Sequence, residues 1–270
     1  MDNEQFHRNK CEALIVHSSL FIVHMNILGA KVDAVTKTEA IAKIAAFLDE
    51  QKPHFITTPN PEIILYAHRH PGYREILNKA DLALPDGAGL LFVSRFMKQA
   101  LPERVSGTDM VPEIAKLARE KHLKIALLGG LDQATIDKAA RAMRAWGNEV
   151  VYASHGVPKE QWEDKEFHDR IISELRAARP ELVFVALGHP KQEQWIDEHQ
   201  NSLPSVRLFI GCGGALDFIA GAMRRAPAFM RQAGLEWLWR LVREPKRIKR
   251  IFNAVIVFPL TVINAYVWKK

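Results

Sequence analysis

At 270 residues, 48% hydrophobic and 25% charged, the chain is long enough for one large domain or two small ones and too apolar to be a disordered segment. Its net charge of +6 is spread unevenly: residues 223–270 hold eleven Lys or Arg against two Glu, a net of +9, and the remainder holds 26 basic against 29 acidic residues, a net of −3. A basic segment of this kind seeks phosphate, in nucleic acid, anionic lipid or a phosphorylated substrate. The two cysteines, Cys11 and Cys212, give no disulfide framework and no spacing for zinc. The N-terminus has early acidic residues and no small-residue cleavage site, so no signal peptide is expected and a cytoplasmic protein is.

Residues 1–24 read as an extension. MNILGAKVDAVT, from Met25, reads as strands, and TKTE at 36–39 as a capping box that opens a helix with Ile41, Ile44 and Leu48 on one face. HFITTPNPE is a short strand breaking into a turn at Pro59. EIILYAHRHPGYREILNKA reads as helical segments interrupted at Pro71 and Gly72, and ADLALPDGAGL as a strand ending in a Pro-Asp-Gly turn. A helix capped near Asp109 follows ERVSGTD. Helix and strand then alternate: VPEIAKLAREKH before KIALLGG, QATIDKAARAMRAWG before EVVYASHG, EFHDRIISELRAARP before LVFVALGHPKQE, and QWIDEHQ before VRLFIGCGGALDF. Short apolar strands separated by helices predict an α/β fold, a Rossmann-like parallel sheet with helices on both faces. The expected division is an extension at 1–24, an α/β core at 25–222 in two halves split near residue 105, and a C-terminal appendage at 223–270.

In that appendage GLEWLWRLVRE reads as a helix, and Pro245 ends it or opens the next. From residue 251 to 268, fourteen of eighteen residues are apolar, with Pro259 near the middle. A spanning helix needs ~20 apolar residues. This stretch is at the lower limit and is expected to be interrupted by the proline, which favours monotopic, in-plane or re-entrant membrane attachment over a full span. The bland alternative is a buried core helix.

Ligands of open parallel sheets collect at the carboxyl ends of the strands. Those ends are TTPN (57–60), PDG (85–87), LGG (128–130), GHPKQE (188–193) and GCGG (211–214). Several place glycine where a helix begins, a setting for phosphate, and a nucleotide diphosphate is the natural guest. Each alone also fits an ordinary tight turn: residues 211–216 lack the third glycine of GxGxxG, and no P-loop is present. Asp86 is either an Asp-Gly turn residue or a general base at the sheet's carboxyl edge. Thr58 and Asn60 either place a hydroxyl and an amide beside it or shape the turn around Pro59 and Pro61. Gln192 either binds a sugar hydroxyl or a uracil edge or is a solvated residue near a helix start. Arg104 meets either phosphate or only water. His155 and His189 are left to packing or the surface. No Asp-x-Asp occurs, so the usual metal bridge to a nucleotide-sugar diphosphate has no obvious ligands; neither metal nor cofactor is expected.

Taken in order over roughly residues 25–252, TTPNPE, ADLALPDGAGL, RVSGTD, LLGG, GHPKQE, FIGCGGALDFIAG and RRAPAFMRQAGLEWLWRLVREPKR resemble the WecG/TagA/CpsF glycosyltransferases of bacterial cell-surface polymer synthesis. The resemblance implies sugar transfer from a UDP-sugar to a membrane-anchored, polyprenyl diphosphate-linked sugar, with inversion and without a required metal. Members that build teichoic-acid linkages use N-acetylmannosamine; relatives use N-acetylmannosaminuronic acid or glucose. It implies Asp86 as the base, Thr58 and Asn60 beside the acceptor, Arg104 and Gln192 as further polar positions, and Arg240, Arg247 and Arg250 as appendage arginines. Arg247 and Arg250, three apart, can share a helical face and grip a diphosphate. This sequence departs from the family in its first twenty residues and its apolar last eighteen. The partners implied are the UDP-sugar, the lipid-linked acceptor and the cytoplasmic face of the cell membrane, with no nucleic acid; homo-oligomerisation stays open. A nucleotide-sugar epimerase or NAD-linked oxidoreductase would lack its dinucleotide fingerprint, and a nucleic-acid-binding protein would leave the uncharged tail unexplained.

Overall fold

The structure, a computed structural model, describes residues 22–97, 100–157, 159–227, 229–230, 233–243 and 248–266. It opens with an antiparallel hairpin, β1 (His24–Ile27) and β2 (Ala30–Asp33). Helix α1 (Lys37–Asp49) starts on the expected capping box: the Thr36 hydroxyl accepts from Glu39 N, and the Glu39 carboxylate accepts from Thr36 N at 2.8 Å. There follow β3 (His54–Thr57), α2 (Pro61–Arg69), α3 (Pro71–Asn78), β4 (Leu82–Ala83), α4 (Ala88–Ser94), α5 (Gly107–Glu120), β5 (Lys124–Gly129) and α6 (Gln133–Ala145). Next come β6 (Glu149–Ser154), α7 (Lys165–Ala178), β7 (Leu182–Ala186), α8 (Lys191–His199), β8 (Leu208–Gly211) and α9 (Ala215–Ile219). Helices α10 (Glu236–Arg243) and α11 (Ile248–Tyr266) complete the described chain.

Strands β3 to β8 form one parallel sheet in the order β4-β3-β8-β7-β5-β6. Both faces are covered, so alternate residues of each strand enter opposite cores. Ile56, Leu127, Phe184 and Ile210 pack with α1, α5 and α6. Phe55, Leu128, Val185 and Phe209 pack with α7 and α8. The Rossmann-like sheet is as expected, and the chain on either side of residue 105 shares it, because β3 pairs with β8.

Several local expectations need correction. Helix α5 begins at Gly107, capped by Ser106, whose hydroxyl accepts from Asp109 N; Asp109 is inside the first turn. Strands β7 and β8 stop at Ala186 and Gly211, before all of GHPKQE and GGALDF. A turn through the cis peptide His189–Pro190 leads into α8, and Gly213, at φ +52°, leads toward α9. Pro259 does not interrupt the tail. The helix runs continuously through it, with a π-turn at Asn253–Val257 just before. A proline has no N–H and its ring crowds the carbonyl four residues back; the wider turn takes up that misfit.

One face of α11 belongs to the fold. Phe258 and Val262 are buried with Ile27 and Val32 of the hairpin, Ile63 and Ile64 of α2, and Leu90 and Val93 of α4. The Tyr266 hydroxyl donates to Asn26 O at 3.0 Å and accepts from Leu28 N at 3.1 Å.

Candidate active site

Three backbone hydrogen bonds lace the loops at the carboxyl ends of β3 and β4. Leu84 N donates to Thr57 O at 2.8 Å, Asp86 N to Pro59 O at 2.9 Å, and Val105 N to Pro85 O at 2.8 Å. From the hairpin side the buried Asp33 carboxylate accepts from Ala83 N at 2.8 Å. The Pro-Asp-Gly turn is therefore held by its neighbours rather than left as a free loop. Gly87 has φ +107°, a backbone conformation that favours glycine, and a Cβ there would lie 3.1 Å from Pro61 Cδ. Asn60 caps α2: its Oδ1 accepts from Glu62 N and Ile63 N, both at 3.0 Å, with Pro61 at the first helical position.

Over this turn, α10 and α11 enclose a cavity of about 500 Å³. Asn60, Asp86, Arg104, Arg240 and Arg250 all line it, although more than 140 residues separate Arg104 from the α11 arginine. Thr58 and Gln192 do not line it. Thr58 is buried and donates from Oγ1 to Gly211 O at 3.1 Å, tying β3 to β8. Gln192 is buried too, which corrects its reading as a solvated residue: Oε1 accepts from Gly213 N at 3.0 Å, and Nε2 donates to Glu193 Oε1 at 2.7 Å. Arg247 lies outside the described residues, as does Pro245.

The Asp86 carboxylate accepts no hydrogen bond among the described residues. Burial raises it to about 6; Arg104 and Arg240 pull it down, while Glu236 and Asp109 push it up. Glu236 joins the two arginines. Its Oε2 accepts from Arg104 Nη1 at 3.0 Å, and its Oε1 is 3.5 Å from Arg240 Nη2, one helical turn on. Asp109 accepts from Ser106 Oγ at 2.6 Å and from Arg225 Nη1 at 2.8 Å, and it stands 3.7 Å from Arg104 Nη2. Glu62, also in the lining, accepts at Oε1 from Arg250 Nε at 2.6 Å and is 3.2 Å from His189 Nε2. Burial by itself would raise the Glu62 carboxyl, but the hydrogen bonds from His189 and Arg250 outweigh it and hold it at about 2.

Each of the three lining arginines thus rests on a carboxylate. An entering phosphate can take over these guanidinium groups in bidentate geometry. Asp86, unquenched and titrating near neutral pH, can accept a proton from a hydroxyl brought within reach. Sequence reasoning missed Glu62 and Glu236. The second had a local signal, its i,i+4 spacing from Arg240. The first had none, because its partner Arg250 is 188 residues away. His189, left to packing, is also in this network.

The family model described as "Glycosyl transferase WecG/TagA/CpsF family" matches residues 25–270. Among curated proteins, an enzyme of Staphylococcus aureus strain MW2 named N-acetylglucosaminyldiphosphoundecaprenol N-acetyl-beta-D-mannosaminyltransferase is 33% identical over 243 residues, covering 89% of this chain and 92% of its own. The enzymes of the same name from strains NCTC 8325 / PS 47 and MRSA252 are also 33% identical, with the same coverage. A family match over nearly the whole described core, joined to a cavity that gathers five of the expected site residues, makes this chain a member of the WecG/TagA/CpsF family of glycosyltransferases.

Proposed function

We propose that the chain transfers a hexose, N-acetylmannosamine before N-acetylmannosaminuronic acid or glucose, from a UDP-sugar to a polyprenyl diphosphate-linked sugar, with inversion and without a required metal, at the cytoplasmic face of the membrane. The observation that carries this reading is Asp86: a carboxylate without a hydrogen-bonded partner among the described residues, raised toward neutrality, in a cavity shared with Arg104, Arg240 and Arg250. The relatives' name supplies the sugar and the acceptor.

In the proposed step the acceptor hydroxyl gives its proton to Asp86 as its oxygen bonds to the anomeric carbon. The bond from that carbon to the UDP oxygen breaks, and UDP leaves with the electron pair. The arginines stabilise the charge that grows on the diphosphate. One catalytic carboxylate and no nucleophile give a single displacement, hence inversion.

Helix α11 is apolar enough to cross a membrane by length and composition, with a mean hydropathy of 1.4. Its packing against the hairpin through Phe258, Val262 and Tyr266 favours a helix lying along the membrane surface, since a span would draw the hairpin in with it. The test is a donor screen with purified protein, an N-acetylglucosamine-diphosphate-lipid analogue and a panel of UDP-sugars, read as released UDP in the presence of EDTA. Release above hydrolysis with UDP-N-acetylmannosamine and a product of inverted anomeric configuration is expected. Release with another donor alone corrects the sugar; release with none overturns the reading.

A further inference from the structure

The cavity has two unlike walls. One carries Asp86 and the arginines. The other is made by Phe92 of α4 and by Ile251, Ala254, Val255 and Pro259 of α11, all apolar, with Arg250 near the head of the same helix. Helix α11 faces three ways. Phe258 and Val262 are buried in the fold. Ile251, Val255 and Pro259 line the cavity. Phe252, Ile256 and Leu260 are 55%, 44% and 60% exposed. Its π-turn comes close to the start of α4: a Cβ on Gly89 would lie 3.5 Å from Ala254 O. Farther along α4, Phe92 lines the cavity and is still 50% exposed, and its ring packs edge to face on that of Phe96, 61% exposed, with centroids 5.3 Å apart. Apolar side chains therefore continue from the cavity wall, over Phe92, to the outer surface. Exposed apolar surface joined to a cavity marks a binding groove, and a nucleotide and a sugar, both polar, leave this wall without an occupant.

We propose that the wall between α4 and α11 is a subsite for the first isoprene units of the acceptor's lipid chain, which leaves over Phe92 and Phe96. This rests on the function proposed above and adds to it the place where the chain runs. The occupant has to be apolar and joined to phosphate, because the same cavity sets Arg240 and Arg250 beside the aliphatic wall. A nucleoside diphosphate matches the arginines and leaves the wall empty; a fatty chain without phosphate matches the wall and leaves the arginines on their carboxylates.

The test compares two acceptors, the methyl and the farnesyl esters of N-acetylglucosamine diphosphate, without membranes or detergent, as the ratio of their kcat/KM values. Wild type is expected to favour the farnesyl ester by about tenfold or more, from burial of several methylene equivalents. The ratio should fall to near one in both Phe92→Asp and Val255→Asp. It is internal to each protein, so a variant that is partly unfolded or slower in chemistry still reports on the chain. A wild-type ratio near one with transfer intact, or a ratio unchanged in both variants, overturns the subsite and leaves the proposed function standing. Variants that lose sedimentation with acceptor-free anionic vesicles but keep the ratio assign the wall to the bilayer and overturn the subsite as well. If wild type uses neither ester with any UDP-sugar, the proposed function fails and the subsite with it.

Discussion

Asp86 and Glu193 both lie in the segments that follow strands at the carboxyl edge of the same sheet, and burial raises the carboxyl of each. Around Glu193 each carboxylate oxygen has a donor: Gln192 Nε2 donates to one at 2.7 Å, the Tyr73 hydroxyl to the other at 3.0 Å, and no solvent reaches them. Gln192 in turn accepts from Gly213 N, so this carboxyl fixes the turn after β8. The backbone around Asp86 is fixed by the hydrogen bonds from Asp86 N to Pro59 O and from Val105 N to Pro85 O, while Asp86 lines a cavity with Arg104 and Arg240, which act on its carboxylate by charge alone. A raised carboxyl is therefore no sign of a base by itself. What separates the two is whether the group has spent its hydrogen-bonding capacity on the fold.

The largest expected effect is on Asp86. Asp86→Asn should lower kcat by roughly a hundred- to ten-thousand-fold and leave UDP affinity, measured by calorimetry, in place. Wild-type kcat/KM should fall as pH drops through about 6, where the base becomes protonated, and the variant should lack that limb. Stability should move the opposite way. A carboxyl raised from 3.8 to about 6 contributes stability that is present below 3.8 and lost as pH rises through about 6, on the order of 3 kcal/mol by neutral pH. Asparagine removes that cost, so the inactive variant should melt several degrees higher at pH 7. Wild-type turnover, or a lower melting temperature with the acidic limb retained, would make Asp86 another structural carboxyl like Glu193.

Glu236→Gln should come next. It loosens the shared anchor of Arg104 and Arg240, and the expected result is a rise of about tenfold in KM for the UDP-sugar with a smaller change in kcat. It also removes a negative charge that raises Asp86. The acidic limb of kcat/KM should therefore shift to lower pH. A limb that stays fixed separates Glu236 from the base.

Glu193→Gln is the counterpart. One of two buried donors, Gln192 Nε2 or the Tyr73 hydroxyl, loses an acceptor, at a cost of about 1–3 kcal/mol. The melting temperature should drop, and kcat on a soluble acceptor should fall by less than tenfold with the acidic limb intact. An undiminished melting temperature with activity gone would erase the distinction between the two carboxyls.

The sheet was legible because its strands are short apolar runs between amphipathic helices, and the five strand-end segments named from the sequence do lie at or beyond the carboxyl ends. Helix starts were less legible: Ser106, not Asp109, caps α5, because either side chain suits the position and only the backbone decides. The arginines of the site could be named from the ordered motifs. Of their acidic partners, Glu236 had only its spacing from Arg240 as a signal and Glu62 had none, since Glu62 meets Arg250, and Arg104 meets Glu236, only through the closure of the tail over the sheet. The helix through Pro259 was hidden for a similar reason. A proline in an apolar run reads as a break, and the π-turn that accommodates it leaves no pattern in the sequence.

The smallest effect concerns the seam between tail and core. The Tyr266 hydroxyl serves both a donor and an acceptor on the hairpin, as Glu193 serves two donors in the interior, but Tyr266 is partly exposed, 37%. Water can replace part of what its hydroxyl provides. Tyr266→Phe should therefore cost about 1 kcal/mol, a fall of roughly 2–4 °C in melting temperature, with turnover on a soluble acceptor unchanged. Phe258 and Val262 keep the helix seated in the apolar cluster, so sedimentation with anionic vesicles should also hold. A variant of unchanged stability that sheds from vesicles would mean that the hydroxyl acts at the membrane and not at the hairpin, and that α11 is held to the fold by its apolar face alone.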